Sequence, residues 1–259
     1  MTQELSSIHP EAIIGKNVTI SPFVTIDKNV VIGDNTYIYP NAVILEGARI
    51  GKNCRIFPNA VLAGIPQDLK FRGEETLCEI GDNTTIRECV TVNRGTASKG
   101  KTIVGNDCLL MAYSHIAHDC LIKDHVIIGN ATQLAGEVDV DDYAILSGGT
   151  LVHQFSHIGK HAMIQGGSRI SKDIPPYIIV GREPITYSGI NIVGLRRRGF
   201  TSEQIAAIQE IYRILYQSGM NNSAAVKHIE SNIPNGQEKE EILYFITNSQ
   251  RGIVRGYLE

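Results

Sequence analysis

The feature that most restricts this chain is a repeat of six. Reading every sixth residue from Ile8 to Ile170 gives 28 positions, of which 25 hold Ile, Leu or Val. The exceptions are Asp68, Glu74 and Ser98. The residue two places earlier is nearly always small, as at Ala42, Ala48, Cys54 and Ala60. Six is neither the 3.6-residue period of an α-helix nor the 3.5 of a coiled coil. It is a multiple of the strand period of two. Each hexad therefore reads as a short strand plus a corner, with the small and the aliphatic residue both facing inward.

A period of eighteen lies over the hexads. Gly15, Gly33 and Gly51 recur at that spacing, as do Pro22, Pro40 and Pro58. Three hexads then make one coil, and stacked coils make a triangular prism with continuous inward ladders. Glycine is expected to supply a corner with positive φ, and proline an unpaired corner. Two stretches, 66–79 and 94–101, break the frame and are expected to be surface loops that serve binding. The ladder is expected to stop after Ile170, because Pro175 and Pro176 remove donors. Beyond it, 201–218 opens on a capping box of Thr201 and Gln204 and carries apolar residues at helical spacing. Further helices are expected over 223–231 and 237–248. The expected organisation is an all-β solenoid over 1–190 followed by a small C-terminal α-helical domain over 191–259, which caps the open end of the prism.

Composition narrows the function. The 259 residues carry 24 Lys+Arg against 27 Asp+Glu, a net charge of -3, which excludes a generally basic nucleic-acid binder. At 42% hydrophobic residues the chain is not a disordered one. No apolar run approaches the ~20 residues of a membrane span. Met1 to Pro10 holds no Lys or Arg and no apolar block, so a secretory signal is not expected and the cytoplasm is. The five cysteines form no CxxC pair. Cys54, Cys78, Cys108 and Cys120 fall in inward slots and read as small core residues, with Cys89 at a corner.

The histidines carry the chemistry. His118 lies two places past the inward Ile116 and should face out at an edge. Steps of eighteen lead to Gly136 and Gln154, so His118, Gly136–Glu137 and His153–Gln154 should line one edge over successive coils. Such a column reads as a solvated edge or as a site, and the stacking of several polar groups favours a site. His125, His157 and His161 are read as solvated, as are His9 and His228. No phosphate-binding glycine loop and no nucleophile elbow occurs, so general-base chemistry by His is favoured over a covalent intermediate. Arg196, Arg197 and Arg198 form the one basic cluster, which reads as a solvated face, a phosphate site or a site for an acidic protein.

Several motifs then carry a resemblance. Gln67-Asp68-Leu69-Lys70, Asn93-Arg94-Gly95-Thr96, His115-Ile116-Ala117-His118-Asp119, Val152-His153-Gln154-Phe155, Pro175-Pro176-Tyr177 and Gly194-Leu195-Arg196-Arg197-Arg198-Gly199-Phe200 resemble the UDP-N-acetylglucosamine O-acyltransferase family of hexapeptide-repeat acyltransferases. The match covers essentially the whole chain. The resemblance implies a left-handed parallel β-helix; handedness is not read from the repeat. It implies a cytoplasmic homotrimer that moves a 3-hydroxyacyl chain from acyl carrier protein to the 3-hydroxyl of UDP-N-acetylglucosamine, the first step of lipid A synthesis. His118 matches the general base and the Gly136 amide the oxyanion donor. His115, Gln67, Asp68, Lys70, Glu137, His153, Gln154, Asn191, Arg197 and Arg198 match substrate-binding positions, and Gly166 the position that limits acyl length. No metal or other cofactor is implied. Glu137 stands where His is common in the family, and Val193 where Glu is common. Three alternatives remain at this point: a zinc lyase using His115, His118 and His153, the N-acyltransferase of the same pathway, and a non-enzymatic scaffold.

Overall fold

A computed structural model describes residues 5–256, so the outermost residues of both expected domains, 1–4 and 257–259, lie outside the description. Two-residue strands recur every six residues and stack in parallel into three faces. The first face holds nine strands from Ser7–Ile8 to Arg169–Ile170, and the second eight from Ile13–Ile14 to His157–Ile158. The third holds ten, from Thr19–Ile20 onward. Successive strands of one face pair eighteen residues apart, as Thr25 with Val43 and Ile26 with Ile44. The aliphatic and small residues of each hexad, such as Ile44 and Ala42, are buried along the axis. Cys54, Cys78, Cys108 and Cys120 sit among them, and burial pushes the Cys54 thiol up to about 11 and the other three to about 12.

The corners differ from expectation in a physically clear way. Positive φ falls not on Gly15, Gly33 and Gly51 but two residues later, on Asn17, Asn35 and Asn53, at 55–59°. Asparagine tolerates that region because its short polar side chain bonds locally: Asn17 Nδ2 donates to Asn35 Oδ1 at 3.2 Å, and Asn53 to Asn83 likewise. The glycines are needed for close approach. A Cβ on Gly33 would lie 2.6 Å from the Gly51 carbonyl carbon and oxygen of the next coil.

The insertions keep the hexad frame because of their lengths. Ile80 pairs with Ile50, thirty residues back, and Val104 with Ile80, twenty-four back. Against a coil of eighteen these are additions of twelve and six, both multiples of the hexad. The irregular segments are 65–76 and 94–100, since Leu77–Ile80 and Lys101–Val104 are strands. Both run from the first face to the second, so both emerge at the same edge.

The ladder does not stop at Ile170. Ile178–Gly181 adds to the third face, Ile164 pairing with Val180, and Thr186–Ile190 follows it antiparallel. That last coil advances sixteen residues instead of eighteen, which takes its strand out of the hexad frame and hides it from the repeat. Pro175 and Pro176 are accommodated at the corner before it. Four helices follow: α1 (Ile192–Arg197), α2 (Ser202–Gln217), α3 (Asn222–Asn232) and α4 (Gln237–Asn248). The capping box of Thr201 and Gln204 is complete. The chain then returns to the prism, where Asp173 bridges to Ile253.

Candidate active site

The edge between the first and second faces concentrates the chemistry. His118 sits on it, one residue before the left-handed Asp119 at φ 59°. The ring points away from the prism core, yet the residue is only 8% exposed. His118 Nδ1 lies 2.8 Å from Asp119 Oδ2. Asp119 Oδ2 also accepts the Thr96 hydroxyl at 2.6 Å. Its Oδ1 accepts the amides of Thr96 at 2.9 Å and Lys99 at 3.2 Å. Burial works to raise the Asp119 carboxyl, but these bonds outweigh it and hold it below the usual carboxylate range. An ionised carboxylate only accepts. His118 Nδ1 is therefore the donor in this bond, and in the neutral imidazole it is Nε2 that carries the lone pair.

The Cε1–Nε2 edge of the ring packs against Gly136, one coil above. A Cβ on Gly136 would fall 2.5 Å from His118 Cε1 and Nε2. The stacking is direct: the Glu137 amide donates to the His118 carbonyl at 3.0 Å, and Phe155 to the Gly136 carbonyl at 3.3 Å. Glu137 and Gln154 thus occupy the same edge as His118.

His115 and His153 lie around the corner on the first face. They line a trough of about 560 Å³ with Ala117 and Ala135 as floor and Gln133, Arg169 and Glu183 on its walls. His118 does not line it. His115 Nδ1 is 2.7 Å from Thr91 Oγ1. Burial, then the neighbouring His118, lowers the His115 imidazole from its ordinary value. His153 Nδ1 donates to the Gln154 carbonyl at 3.0 Å.

Apart from the 65–76 segment, which emerges at the same edge, the remaining sequence candidates lie away from His118 within one chain. Gln67, Asp68 and Lys70 lie in the 65–76 segment, where Asp68 Oδ1 accepts the Lys70 amide at 2.9 Å in a local turn. Gly166 is on the edge between the third and first faces. Asn191, Arg197 and Arg198 are at the edge between the second and third. Asn191 is 3% exposed, and both halves of its amide serve the fold: Oδ1 caps α1 at Gly194, and Nδ2 donates to the His161 carbonyl at 3.0 Å. Arg197 is exposed. Arg198 Nη2 donates to the Tyr143 carbonyl at 3.1 Å, while its Nη1 is buried without a partner.

His161 is not a solvated residue. It is 6% exposed, stacked between Tyr143 and Tyr177 with Phe200 against its edge. His157 is half-buried, with Nε2 2.9 Å from Asp141 Oδ2 and its ring against Phe245 of α4. The residues that the repeat could not reveal are Thr96, Lys99 and Thr102. Thr96 and Lys99 lie in a segment off the hexad frame, and the clue to them was that this segment returns to the His118 edge.

Comparison with known proteins agrees with this architecture. A family model described as bacterial transferase hexapeptide matches residues 29–64 and 101–136, and one described as UDP N-acetylglucosamine O-acyltransferase, domain 2, matches 173–254. The acyl-[acyl-carrier-protein]–UDP-N-acetylglucosamine O-acyltransferase of Xylella fastidiosa is 45% identical over 263 residues, covering 98% of this chain and all of the relative. The chain belongs to the UDP-N-acetylglucosamine O-acyltransferase family. Among solved structures, the acyltransferase of Bacteroides fragilis matches with a TM-score of 0.97 at 61% identity, over 98% of this chain and all of that one. The Arabidopsis acyltransferase matches at 0.85 and 33%, with 98% and 100% covered. The fold is accordingly the left-handed parallel β-helix with a C-terminal helical domain that the resemblance implied. Membership in this acyltransferase family sets aside the zinc-lyase, N-acyltransferase and scaffold alternatives. Among the described residues no helix is long and apolar enough to cross a membrane.

Proposed function

We propose that this chain transfers a 3-hydroxyacyl group from acyl carrier protein to the 3-hydroxyl of UDP-N-acetylglucosamine, the first step of lipid A synthesis, with His118 as general base. The cytoplasm, where the resemblance puts the enzyme, is its proposed compartment. The observation that carries the mechanism is the Asp119–His118 pair, with Nδ1 bonded to the carboxylate and the Cε1–Nε2 edge of the ring beside Gly136. As the sugar oxygen attacks the thioester carbonyl, its proton passes to Nε2. Asp119 supports the imidazolium that results. The Gly136 amide is the proposed donor to the oxyanion, a preorganised dipole of the kind that lowers such barriers most. Collapse breaks the C–S bond, and Nε2 returns the proton to the departing thiolate. His115, in the trough, is proposed to hold the sugar with Gln67, Asp68, Lys70, Glu137, His153 and Gln154. Arg197 and Arg198 are proposed to meet the nucleotide, and the orphan Nη1 of Arg198 is a donor suited to a phosphate. Asn191 acts by fixing the helix that carries them. Gly166 is the proposed limit to acyl length.

These groups occupy all three edges of one prism, so a single chain offers only fragments of the site. A ring of three copies, with one prism's His118 edge facing another edge of its neighbour, brings the fragments together, and a homotrimer is therefore proposed. Two measurements test the reading. His118→Ala should lower kcat at least about 10²-fold, the lower bound for losing a general base, with the circular dichroism spectrum unchanged; retention of more than a tenth of kcat would assign the base elsewhere, with His153 next in line. Sedimentation at assay concentration should give three chains, and a fully active monomer would overturn the shared site.

A further inference from the structure

Thr96 has no part in the reaction as set out above, and nothing in its position on the repeat marks it. Yet three of the four hydrogen bonds on the Asp119 carboxylate come from the 94–100 segment, two of them from Thr96 alone. The Thr96 hydroxyl donates to Oδ2, the oxygen that also takes the His118 proton donor. The same hydroxyl oxygen accepts the Ser98 amide at 3.2 Å, so it closes the turn of the segment while gripping the carboxylate. From the other side, the Asp119 amide donates to Thr102 Oγ1 at 2.8 Å. Thr96 is 6% exposed and Asp119 0%, which places this grip out of reach of competing water. Gly95 makes the fold of the segment possible, since a Cβ there would lie 2.2 Å from the Lys101 amide nitrogen.

We propose that Thr96 is a positioning residue for the acyl transfer: its hydroxyl fixes Asp119, and through Asp119 the tautomer and tilt of His118, so that the base is in place only when the 94–100 segment is folded onto its edge. The inference rests on the reading of His118 as base. Physically, a carboxylate held at both oxygens has one orientation to offer an imidazole, whereas one held at a single oxygen can rotate about its terminal bond. Outer partners that orient a ligating imidazole typically change function 10- to 100-fold when removed, and the same scale is expected here. The segment is also tied to the other insertion, where the Ala97 amide donates to Glu74 Oε1 at 3.2 Å. The loop bearing Asp68 and Lys70 and the loop that orders the base are thus neighbours at one edge.

The test is a double-mutant cycle on the full-length enzyme, with purified acyl-acyl carrier protein and UDP-N-acetylglucosamine as substrates. Thr96→Val, nearly the same shape without the hydroxyl, should lower kcat about 10- to 100-fold while KM for the sugar nucleotide stays within about twofold. Thr96→Ser, which restores the hydroxyl, should recover most of kcat. In an Asp119→Asn background Thr96→Val should do little more, because both act through one contact. Three results each overturn the proposal: wild-type kcat in Thr96→Val, no recovery in Thr96→Ser, or effects of Thr96→Val and Asp119→Asn that multiply in full. His118→Ala, run beside them, separates the two levels. If it is inactive while Thr96→Val is normal, the base stands and this inference falls; if it is active, the reading of the base falls and the inference with it.

Discussion

A methyl group is the smallest probe of the space beside the base. Gly136→Ala would set its Cβ 2.5 Å from His118 Cε1 and Nε2, and the ring cannot swing aside without leaving Asp119. We expect kcat to fall on the order of 10²-fold, the cost of an ångström of misplacement at a reacting group, and the thermal midpoint to fall as well, because the displaced ring gives up its buried bond to Asp119. In a His118→Ala background the same methyl should be nearly silent; an undiminished loss there would mean that it disturbs something other than the base. His118 and Gly136 were legible in the sequence because they stand eighteen residues apart on a regular edge. Asp119 could be named as a candidate to orient His118, but the bond itself could not be fixed from the sequence. Adjacent residues usually point to different sides, and only the left-handed backbone at Asp119, φ 59°, turns its carboxylate toward the His118 ring. Nor could the repeat show that both halves of the Asn191 amide are consumed, because Nδ2 bonds the carbonyl of the distant His161 while Oδ1 caps α1.

At the scale of one coil, the corners invite a paired test. Gly33→Ala should destabilise the protein by about 1–3 kcal/mol, as overpacking against backbone does, because the added Cβ meets the Gly51 carbonyl at 2.6 Å. Asn35→Gly should be close to neutral and Asn35→Ala should cost about 1 kcal/mol, since only the alanine resists a left-handed φ. Urea unfolding reads all three, and a tolerated Gly33→Ala would show that the coils are less tightly stacked than their spacing requires. The hexads were readable because each inward Ile or Val is set by its own strand, and the insertions of twelve and six residues left that frame intact. The final coil was not readable, because its advance of sixteen residues moves Ile178–Gly181 off the frame. The glycines were visible but their reason was not, since close approach between coils is a property of two coils and positive φ of one.

For the molecule as a whole, the junction between prism and helices should make stability depend on pH. His161 lies at that junction, roofed by Phe200 and bonded through its carbonyl to Asn191, with its Nδ1 buried and unpartnered. Burial, then the charges of Arg198 and Lys160, against a smaller opposing effect of Glu241, lowers its pKa to about 4. An unfolded histidine takes up its proton near 6.5. Between those values the unfolded chain binds more protons than the folded one, so stability must rise with pH across the window and fall as acid is added. The full contribution, present above about pH 6.5 and gone below about 4, is on the order of 3 kcal/mol. The carboxylates held low, among them Asp119 and Asp141, start to lose their share only as pH falls through the ordinary carboxylate range, below most of this window. His115, also lowered, adds a smaller slope of the same sign. Urea midpoints measured from pH 7 to 4.5 should therefore decline steadily in the wild type, and His161→Phe, which keeps the ring stack between Tyr143 and Tyr177 without a titrating group, should flatten most of that decline. A His161→Phe protein that loses stability with acid as steeply as the wild type would place the pH dependence elsewhere and leave His161 as a packing residue alone.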